Sequence, residues 1–382
     1  MMLSDKYTIY GDFEINDNLC EYFNCKNIVF DFITSEDNDV PLIDKILYKS
    51  DKNKKILLII DIPTIKKLYQ QVSKYNNFLK LVDDGRIELI FYRSSGFGLD
   101  SGLEDGEILK KIKFTWLENC LISEGIKRQF KNIEFHQLAH TWINHGQINH
   151  LSNLKNDRIE KKNTFFSLLK KGREILYLMP FWQASGKHRN LLVQKMQGKE
   201  YLKDAIMKVD DKMLDKLNDP LFFKDLESEY GKIFLDRAGL KDTFNNSLPV
   251  ISYYENTCFE LVMETLGEVD GDDSFYLTQK TLKPIAMGHP FMVLSTKHFL
   301  KNLKGLGFKT FGDFIDESYD KCDNASDRVD IISKNLERLD MTESKKFYND
   351  TRSICEHNQN HLMYLQGRYT FDLWKNLDEL FK

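Results

Sequence analysis

Short apolar runs separated by an amphipathic segment organise the first 95 residues of the chain. Three runs have strand character, and the middle one is almost continuously apolar: Lys26–Thr34, Lys55–Asp61 and Arg86–Arg93. A continuous apolar run of this length is typical of a strand buried on both faces of a parallel sheet. Apolar residues recur at helical spacing from Ile65 to Leu79. The alternation predicts βαβ units and a parallel sheet with right-handed crossovers.

A second α/β pattern follows the polar segment 151–165, which is predicted to be a linker. Its predicted strands are Glu174–Met179, Leu248–Glu255, Cys258–Thr265 and Pro290–Leu294, and its predicted helices are Lys187–Met196 and Thr278–Met287. From Ala325 the pattern is helical to the end. We therefore predict an α/β fold with two Rossmann-like domains facing a cleft, at 1–160 and 161–345, and a C-terminal helical segment at 346–382. Its helix, Asn360–Phe381, is expected to pack back toward the first domain.

The composition is that of an ordinary globular protein, with 42% hydrophobic and 29% charged residues in 382. A net charge of −4 disfavours a surface devoted to nucleic acid, although one basic cleft stays open. The six cysteines lack CxxC spacing, which favours free thiols in a reducing compartment. No secretory leader and no apolar stretch long enough to span a membrane is found, so a cytoplasmic protein is expected.

A glycine-rich loop, Ser94–Gly102, follows the predicted strand Arg86–Arg93. Its GxGxxxG spacing is one residue off the dinucleotide fingerprint, and it lacks the Lys-Ser/Thr ending of a P-loop. A plain mobile loop is therefore favoured over an acceptor-binding loop or a phosphate site. The acidic residues in and after this loop are the best candidates by position for a general base: Asp100, Glu104 and Asp105. The competing interpretation is that they are solvated loop charges.

Four histidines crowd one segment of the N-terminal half: His136, His140, His145 and His150. Zinc is disfavoured because the segment has no HExxH pattern and no nearby cysteine. Packing and polar roles are favoured over a catalytic or acceptor-orienting role. The basic pairs Lys161-Lys162 and Lys170-Lys171 are likewise assigned to a solvated linker rather than to a nucleic-acid surface.

The most informative segment runs from Tyr253 to Leu294. A strand is expected to end near Tyr276, and Thr278 stands where a helix N-cap belongs, with Gln279 and Lys280 in the first turn. A helix N-terminus offers free N–H groups and a partial positive charge, and a lysine there favours a diphosphate site. From spacing alone, a capped core helix with an exposed lysine is favoured over this site.

This segment resembles the donor-binding signature of fucosyltransferase-like glycosyltransferases. The matching blocks are Tyr254–Thr257, Thr278–Lys280 and Gly288–Pro290. A group of phage and bacterial proteins is more similar still, through blocks matched here by Leu303–Phe311 (LKGLGFKTF), Asp316–Asp320 (DESYD) and Glu356–Asn358 (EHN). The resemblance covers about residues 174–360 and leaves out 1–150. DESYD is interpreted as a helix-capping motif in preference to a lining of the donor pocket.

The resemblance implies a GT-B glycosyltransferase that uses a nucleotide-sugar as co-substrate and inverts the anomeric centre. Because an Arg and a Lys can stabilise the leaving diphosphate by charge already in place, no metal or other cofactor is expected. The donor-binding residues it implies are His188, Arg189, Tyr254, Asn256, Thr278, Gln279, Lys280 and Lys283. Arg189 matches the arginine that contacts the donor diphosphate. One departure is Gln279, which stands where the family has an acidic residue, and Gln accepts from ribose hydroxyls more weakly than a carboxylate.

Two kinds of acceptor fit this interpretation, a bacterial cell-surface or capsular glycan and a hydroxymethylated base of phage DNA. The second places the protein in the host cytoplasm. Gln279 also keeps open a non-catalytic nucleotide- or glycan-binding module that retained the fold. The sequence leaves the donor sugar, its nucleotide and the oligomeric state undecided.

Overall fold

The computed structural model describes two units of the chain. The described residues are 7–12, 22, 30–33, 53–60, 76–92, 114–118, 133–137, 175–180, 187–196, 199, 201, 205–208, 254, 257–267, 270–271, 273–339 and 341–380. One compact unit is Met1–Thr141 with Arg368–Lys382, and the other is Trp142–Gly367. Within the described residues each unit contains one parallel sheet. The predicted α/β class with two Rossmann-like units and C-terminal helices is confirmed; the domain boundaries at 160 and 345 stay predictions.

The first unit contains six described strands, all parallel to their neighbours. They are β1 (Tyr7–Asp12), β2 (Phe30–Ile33), β3 (Lys55–Ile60), β4 (Ile87–Tyr92), β5 (Phe114–Glu118) and β6 (Ile133–Gln137), in the order β2-β1-β3-β4-β5-β6. The strand predicted at Lys55–Asp61 is confirmed as β3, and its consecutive residues Ile56, Leu57 and Leu58 are all buried. Burial on both faces explains why this strand is uniformly apolar. The helix α1 (Asn76–Asp83) precedes β4.

The second unit repeats the same order with four described strands. They are β7 (Ile175–Pro180), β8 (Ala205–Lys208), β9 (Thr257–Met263) and β10 (Phe291–Leu294), in the order β10-β9-β7-β8. In both sheets the direction of strand progression reverses part-way across the sheet. Open α/β sheets bind ligands at the carboxyl ends of the strands beside such a reversal.

Helices cover the second sheet, and their buried side chains form the hydrophobic core together with those of its strands. They are α2 (Lys187–Met196), α3 (Gln279–Ala286), α4 (Phe299–Gly305), α5 (Ala325–Arg338), α6 (Met341–Asp350) and α7 (Arg352–Leu380), with a 3₁₀ turn at Ser318–Lys321. Every residue of β9 and β10 is buried. An aromatic group joins the sheet to α6, since Phe347 makes edge-to-face contacts with Phe259 and Phe311. The helix predicted at Lys187–Met196 is confirmed without a shift.

The last helix is longer at its start than the sequence predicted. It begins at Arg352 instead of Asn360, and its final turns are part of the first unit. There the hydroxyl of Tyr22 donates to Asp378 at 2.9 Å, and its ring lies edge-on to Trp374. The expected packing of this segment on the first domain is thereby confirmed. None of the described helices is long and apolar enough to cross a membrane.

Candidate functional site

The candidate site lies at the carboxyl ends of β7 and β9, which are adjacent strands in the second sheet. The chain that leaves β7 leads to α2, and the chain that leaves β9 enters the segment Glu264–Gly267. These two strands lie beside the reversal in strand order, where the topology itself opens a crevice. The side chains that converge on Glu264–Gly267, here called the β9 loop, come from α2, α3 and α5.

Glu264 lies at the centre of the site and is fully buried. One carboxylate oxygen, Oε1, accepts from the backbone N–H of Thr278 at 3.2 Å and from the hydroxyl of Thr281 at 2.6 Å. The other, Oε2, accepts from the hydroxyl of Thr278 at 2.7 Å and from the backbone N–H of Thr265 at 3.1 Å. Four donors compensate the loss of hydration that a buried carboxylate suffers. Glu264 therefore ties the end of β9 to the start of α3.

The start of α3 is built as the sequence predicted. Thr278 is the N-cap, and its hydroxyl oxygen accepts from the backbone N–H of Lys280 at 3.1 Å. The Lys280 ammonium group reaches back to the hydroxyl of Thr265 at 2.7 Å. A cation is thus held beside the positive end of a helix, a combination that favours bound anions. Gln279 is the first residue of this helix.

Two residues of α2 bind the backbone of the β9 loop. Arg189 donates from Nη2 to the carbonyl of Glu264 at 2.8 Å, and the Nε2 of His188 lies 3.1 Å from the same oxygen. Because a carbonyl only accepts, Nε2 carries the proton in this contact. Burial and the neighbouring Arg189 cation lower the pKa of His188 to about 3, so its ring is neutral at physiological pH. The structure thus places the predicted donor-binding residues His188 and Arg189 at the end of β9.

The rest of the β9 loop is fixed by side chains that the sequence analysis did not single out. Arg328 of α5 is 1% exposed and donates from Nη2 to the carbonyl of Gly267 at 2.9 Å. The hydroxyl of Ser295, just after β10, donates to the carbonyl of Leu266 at 3.3 Å. Gly267 has a φ of +151°, and a Cβ at this position would lie 3.1 Å from the His188 ring and from the Ser295 backbone. The loop is therefore held in one conformation against α2.

The site has an excess of positive charge. Burial lowers the pKa of Lys280 to about 8; Arg189 and Lys283 act in the same direction, and Glu264 opposes them. Lys280 therefore stays largely protonated at pH 7, at an energetic cost that a bound anion relieves. Lys280, Arg189 and Arg328 all lie close enough to lower the pKa of His188. An anion with two acceptor groups fits such a site better than a neutral ligand does.

A second buried carboxyl group lies earlier on the same strand, at Glu260. Its Oε2 accepts from the hydroxyl of Tyr254 at 2.8 Å. Burial raises the pKa of Glu260 to about 8, against the effect of that hydrogen bond and of the Lys283 cation. Glu260 is thus largely protonated at pH 7. The structure brings two of the predicted donor-binding residues, Tyr254 and Lys283, to this interior carboxyl.

Several predicted residues lie outside the described part of the chain. They are the candidate general bases Asp100, Glu104 and Asp105, the donor-binding candidate Asn256, the glycine-rich loop, the linker, the basic pairs, and the histidines His140, His145 and His150. His136 lies in β6. Among the predicted donor-binding residues, the structure gathers His188, Arg189, Thr278 and Lys280 around one loop. Their roles in donor binding stay predictions.

The strand that precedes α3 differs from the expectation. β9 (Thr257–Met263) confirms the strand predicted at Cys258–Thr265, but the further strand predicted to end near Tyr276 is replaced by an isolated bridge at Phe275. The carboxylate beside the helix start is Glu264, just after β9, which is not among the predicted site residues; the matched block Tyr254–Thr257 ends where β9 begins. The sequence gives no sign of Glu264, because its partners Thr278 and Thr281 follow 14 and 17 residues later.

The DESYD block caps helices, in agreement with the favoured interpretation. Asp320 accepts from the backbone N–H groups of Leu300 at 2.7 Å and Lys301 at 3.0 Å, at the start of α4. Glu317 accepts from the backbone N–H of Phe311 at 2.7 Å. The EHN block is also used within the fold, because the Asn358 amide exchanges two hydrogen bonds with the backbone of Lys309. These blocks hold the scaffold that carries the site.

No protein-family model matches the chain, and no curated protein matches it either. Among solved structures, the UDP-forming α,α-trehalose-phosphate synthase of Burkholderia vietnamiensis covers 96% of this chain and 99% of its own, with 8% identity and a TM-score of 0.41. A glycosyltransferase of Rickettsia africae covers 97% and 100%, with 12% identity and a TM-score of 0.36. The UDP-GlcNAc 2-epimerase of Neisseria meningitidis, solved with UDP-GlcNAc bound, covers 98% and 100%, with 9% identity and a TM-score of 0.36.

At TM-scores of 0.36 to 0.41 these similarities carry no argument, and the two α/β units of this chain rest on its own described strands and helices. Even a shared fold would leave the function open, because one fold hosts many functions. The neighbours themselves include transferases and an epimerase. The function of this chain has to come from the chemistry of its own site.

Proposed function

We propose that the protein is a glycosyltransferase that binds a nucleotide-sugar at the β9 loop and transfers the sugar to a hydroxyl acceptor. The observation that carries the proposal is the cluster beside the strand-order reversal, in which Lys280, Arg189 and the start of α3 converge on the loop around Glu264. Each of these features attracts anions. A nucleoside diphosphate supplies two phosphates and is the anion that such a pair of cations suits best.

The chemistry of sugar transfer needs this charge at the leaving group. The acceptor oxygen forms a bond to the anomeric carbon while the bond from that carbon to the diphosphate oxygen breaks, and the electron pair stays on the diphosphate. The acceptor proton passes to a base. Negative charge therefore grows on the diphosphate in the transition state, and cations already in place stabilise it. Lys280 and Arg189 are the proposed source of that stabilisation.

The acceptor is a hydroxyl of a glycan or of a hydroxymethylated DNA base, as in the two alternatives drawn from the sequence. Asp100, Glu104 and Asp105 remain the proposed candidates for the base. The competing proposal is a binding module without turnover. It is supported by the neutral Gln279, which stands where the resembled family has an acidic residue. Measuring hydrolysis or transfer together with binding separates the two.

The test is nucleotide binding by titration calorimetry with UDP, GDP and CDP, followed by turnover of the matching nucleotide-sugars. Lys280→Ala and Arg189→Ala are each expected to weaken binding about 10- to 150-fold, the scale for removing a charged hydrogen-bond partner. The matched control is Lys199→Ala, because Lys199 forms an exposed ion pair with Glu337 at the surface of the same unit. The proposal fails if the folded wild-type protein binds none of these nucleotides, or if both site variants bind like the control.

Metal dependence is decided in the same assay by adding excess EDTA. We propose that turnover persists, since Lys280 and Arg189 provide the countercharge. The chain contains two Asp-x-Asp triplets, at residues 37–39 and 270–272, a pattern able to bind a divalent cation. Asp270 of the second triplet accepts from the backbone N–H of Ala325 at 3.2 Å. Loss of turnover that Mg²⁺ or Mn²⁺ restores would show that a metal supplies the charge instead.

A further inference from the structure

One residue connects all the elements of the proposed donor site. The carboxylate of Glu264 accepts from the cap of α3, and its carbonyl accepts from Arg189 of α2. The next residue, Thr265, binds the Lys280 ammonium group through its hydroxyl. The positions of both cations, Arg189 and Lys280, are therefore fixed by hydrogen bonds to residues at the end of β9.

The hydroxyl of Thr278 shows how the carboxylate acts on the helix. Its proton points to Glu264 Oε2 at 2.7 Å, because an ionised carboxylate only accepts. Its lone pair is then turned to the backbone N–H of Lys280, at 3.1 Å. Thr281 donates to the other oxygen from one turn along the same helix. The carboxylate thus fixes the rotation of the capping hydroxyl and the position of the first helical turn.

We propose that Glu264 is the positioning residue of this site, which holds α3 and Arg189 in the arrangement that binds the donor diphosphate. The inference rests on the proposed function for the identity of the ligand. Glu264 itself is fully buried behind the threonines, so its effect on a ligand is transmitted through Lys280 and Arg189. It is therefore assigned no contact with the substrate.

Glutamine is the substitution that tests this role with the least change in shape. Each oxygen of Glu264 accepts from one backbone N–H, that of Thr278 at Oε1 and that of Thr265 at Oε2. In Glu264→Gln, one of the two oxygens is replaced by an NH₂ group, which donates and cannot accept. Whichever way the amide is turned, this NH₂ group faces a backbone N–H, and that hydrogen bond is lost. The variant keeps the side-chain volume but cannot keep all four hydrogen bonds.

The matched control is Asp320→Asn. Asp320 is also a buried carboxylate at a helix start, and each of its oxygens accepts from one backbone N–H of α4. Its amide therefore creates the same defect at a place apart from the β9 loop. Comparing the two variants separates a loss of positioning from a general loss of stability.

The first measurement is affinity for UDP and GDP by calorimetry at pH 7. We expect Glu264→Gln to bind the nucleotide that the wild type binds about tenfold more weakly, and Asp320→Asn to bind it unchanged. Unchanged affinity in folded Glu264→Gln overturns the inference. If the variant does not fold, Thr281→Val takes its place, since it removes a single donor, with an expected loss of about threefold.

The second measurement needs no ligand. The charged groups that act on Lys280 are Glu264 from the β9 loop, Arg189 from α2 and Lys283 on its own helix. Removing the negative charge of Glu264 is expected to lower the Lys280 titration midpoint, read from ¹³C-lysine NMR with Lys280→Arg to assign the signal. Asp320→Asn should leave that midpoint unchanged, and an unmoved midpoint in Glu264→Gln overturns the inference. Wild-type protein that binds no nucleotide refutes the proposed function, while this titration still tests the positioning role.

Discussion

Two helices of the second unit begin beside buried carboxylates, and they use them differently. At the start of α4, Asp320 binds two backbone N–H groups directly, while the N-cap residue His298 makes no side-chain cap and has a φ of +63°. At the start of α3, Glu264 accepts from both the backbone N–H and the hydroxyl of the N-cap residue Thr278, and that hydroxyl in turn accepts from the backbone N–H of Lys280. The first-turn N–H groups of α4 are therefore capped by an acid, whereas the first-turn N–H of Lys280 in α3 is capped by a threonine.

This difference determines which helix end is available to a ligand. The partial positive charge of α4 is neutralised by an acid of its own chain, as a structural cap requires. At α3 the carboxylate binds the N-cap residue Thr278, not the N–H groups of the first turn, and Lys280 adds a cation. In the proposed donor site, the start of α3 is the helix end offered to the diphosphate, while the start of α4 belongs to the scaffold.

The largest effect we expect is on the stability of the protein, when the carboxylate that caps α4 is removed. Asp320→Ala leaves the backbone N–H groups of Leu300 and Lys301 without their acceptor, which costs about 3 kcal/mol in the free energy of unfolding. Urea denaturation followed by circular dichroism measures it. Nucleotide affinity of the folded protein should not change.

The control for that loss is Asp323→Ala. Asp323 forms an ion pair with Lys297 at 2.6 Å, but its side chain is 73% exposed, so its removal should cost under about 1 kcal/mol. A stability loss of similar size in both variants would show that α4 does not depend on its carboxylate. A loss of nucleotide affinity in Asp320→Ala would show that the two helix starts are not separate in function.

The next effect is a pH dependence that belongs to α3 alone. Burial lowers the pKa of Lys280 to about 8, and a bound diphosphate favours the protonated form. Nucleotide affinity should therefore be greatest below pH 8 and fall as the pH rises through that value, by about tenfold at pH 9 if only the cation binds. Calorimetry between pH 7 and pH 9.5 gives the curve.

The interior carboxyl of Glu260 titrates in the same pH range, so its effect on nucleotide affinity has to be distinguished from that of Lys280. Burial raises its pKa to about 8, so it gains negative charge over this interval and also disfavours an anion. Glu260→Gln should retain the fall in affinity, and Lys280→Ala should remove it. The reverse pattern would assign the pH dependence to the interior carboxyl instead of the helix start.

How much of the fold and the site is readable from the sequence depends on the range of each interaction. The predicted helices Lys187–Met196 and Thr278–Met287 agree with α2 and α3 to within two residues, because apolar spacing and a capping threonine are local signals. The strand β3 is equally readable, since its apolar run reflects burial on both faces. The start of α3 is marked by Thr278 itself, whose capping role needs only the next two residues.

The sequence predicts that the DESYD block, which contains Asp320, caps a helix, but it does not show which helix start each of the two carboxylates binds. Glu264 lies 14 residues before its cap partner Thr278, and Asp320 lies 20 residues after its partner Leu300. No local pattern connects such positions, because strand pairing and the 3₁₀ turn bring them together only in the fold. The hydrogen bond from Arg328 to the carbonyl of Gly267 could not be predicted either, because the two residues are 61 positions apart in the sequence.

The smallest expected effect concerns Gln279, the first residue of α3. The resemblance implies that this position contacts the donor ribose, where an amide accepts one hydrogen bond and donates another. Gln279→Ala should therefore weaken nucleotide-sugar binding by about 1 kcal/mol, the scale of one neutral hydrogen bond. Steady-state KM and kcat for the donor, with folding checked by circular dichroism, give the result.

Gln279→Glu sharpens the comparison between the two helix starts. A carboxylate here strengthens the bond to ribose hydroxyls but repels the neighbouring diphosphate, and the two effects should leave activity within about tenfold of wild type. A much larger loss would mean that a carboxylate at this position neutralises the end of α3 as Asp320 does at α4. Unchanged kinetics in Gln279→Ala would instead show that the start of α3 binds phosphate without contacting the ribose.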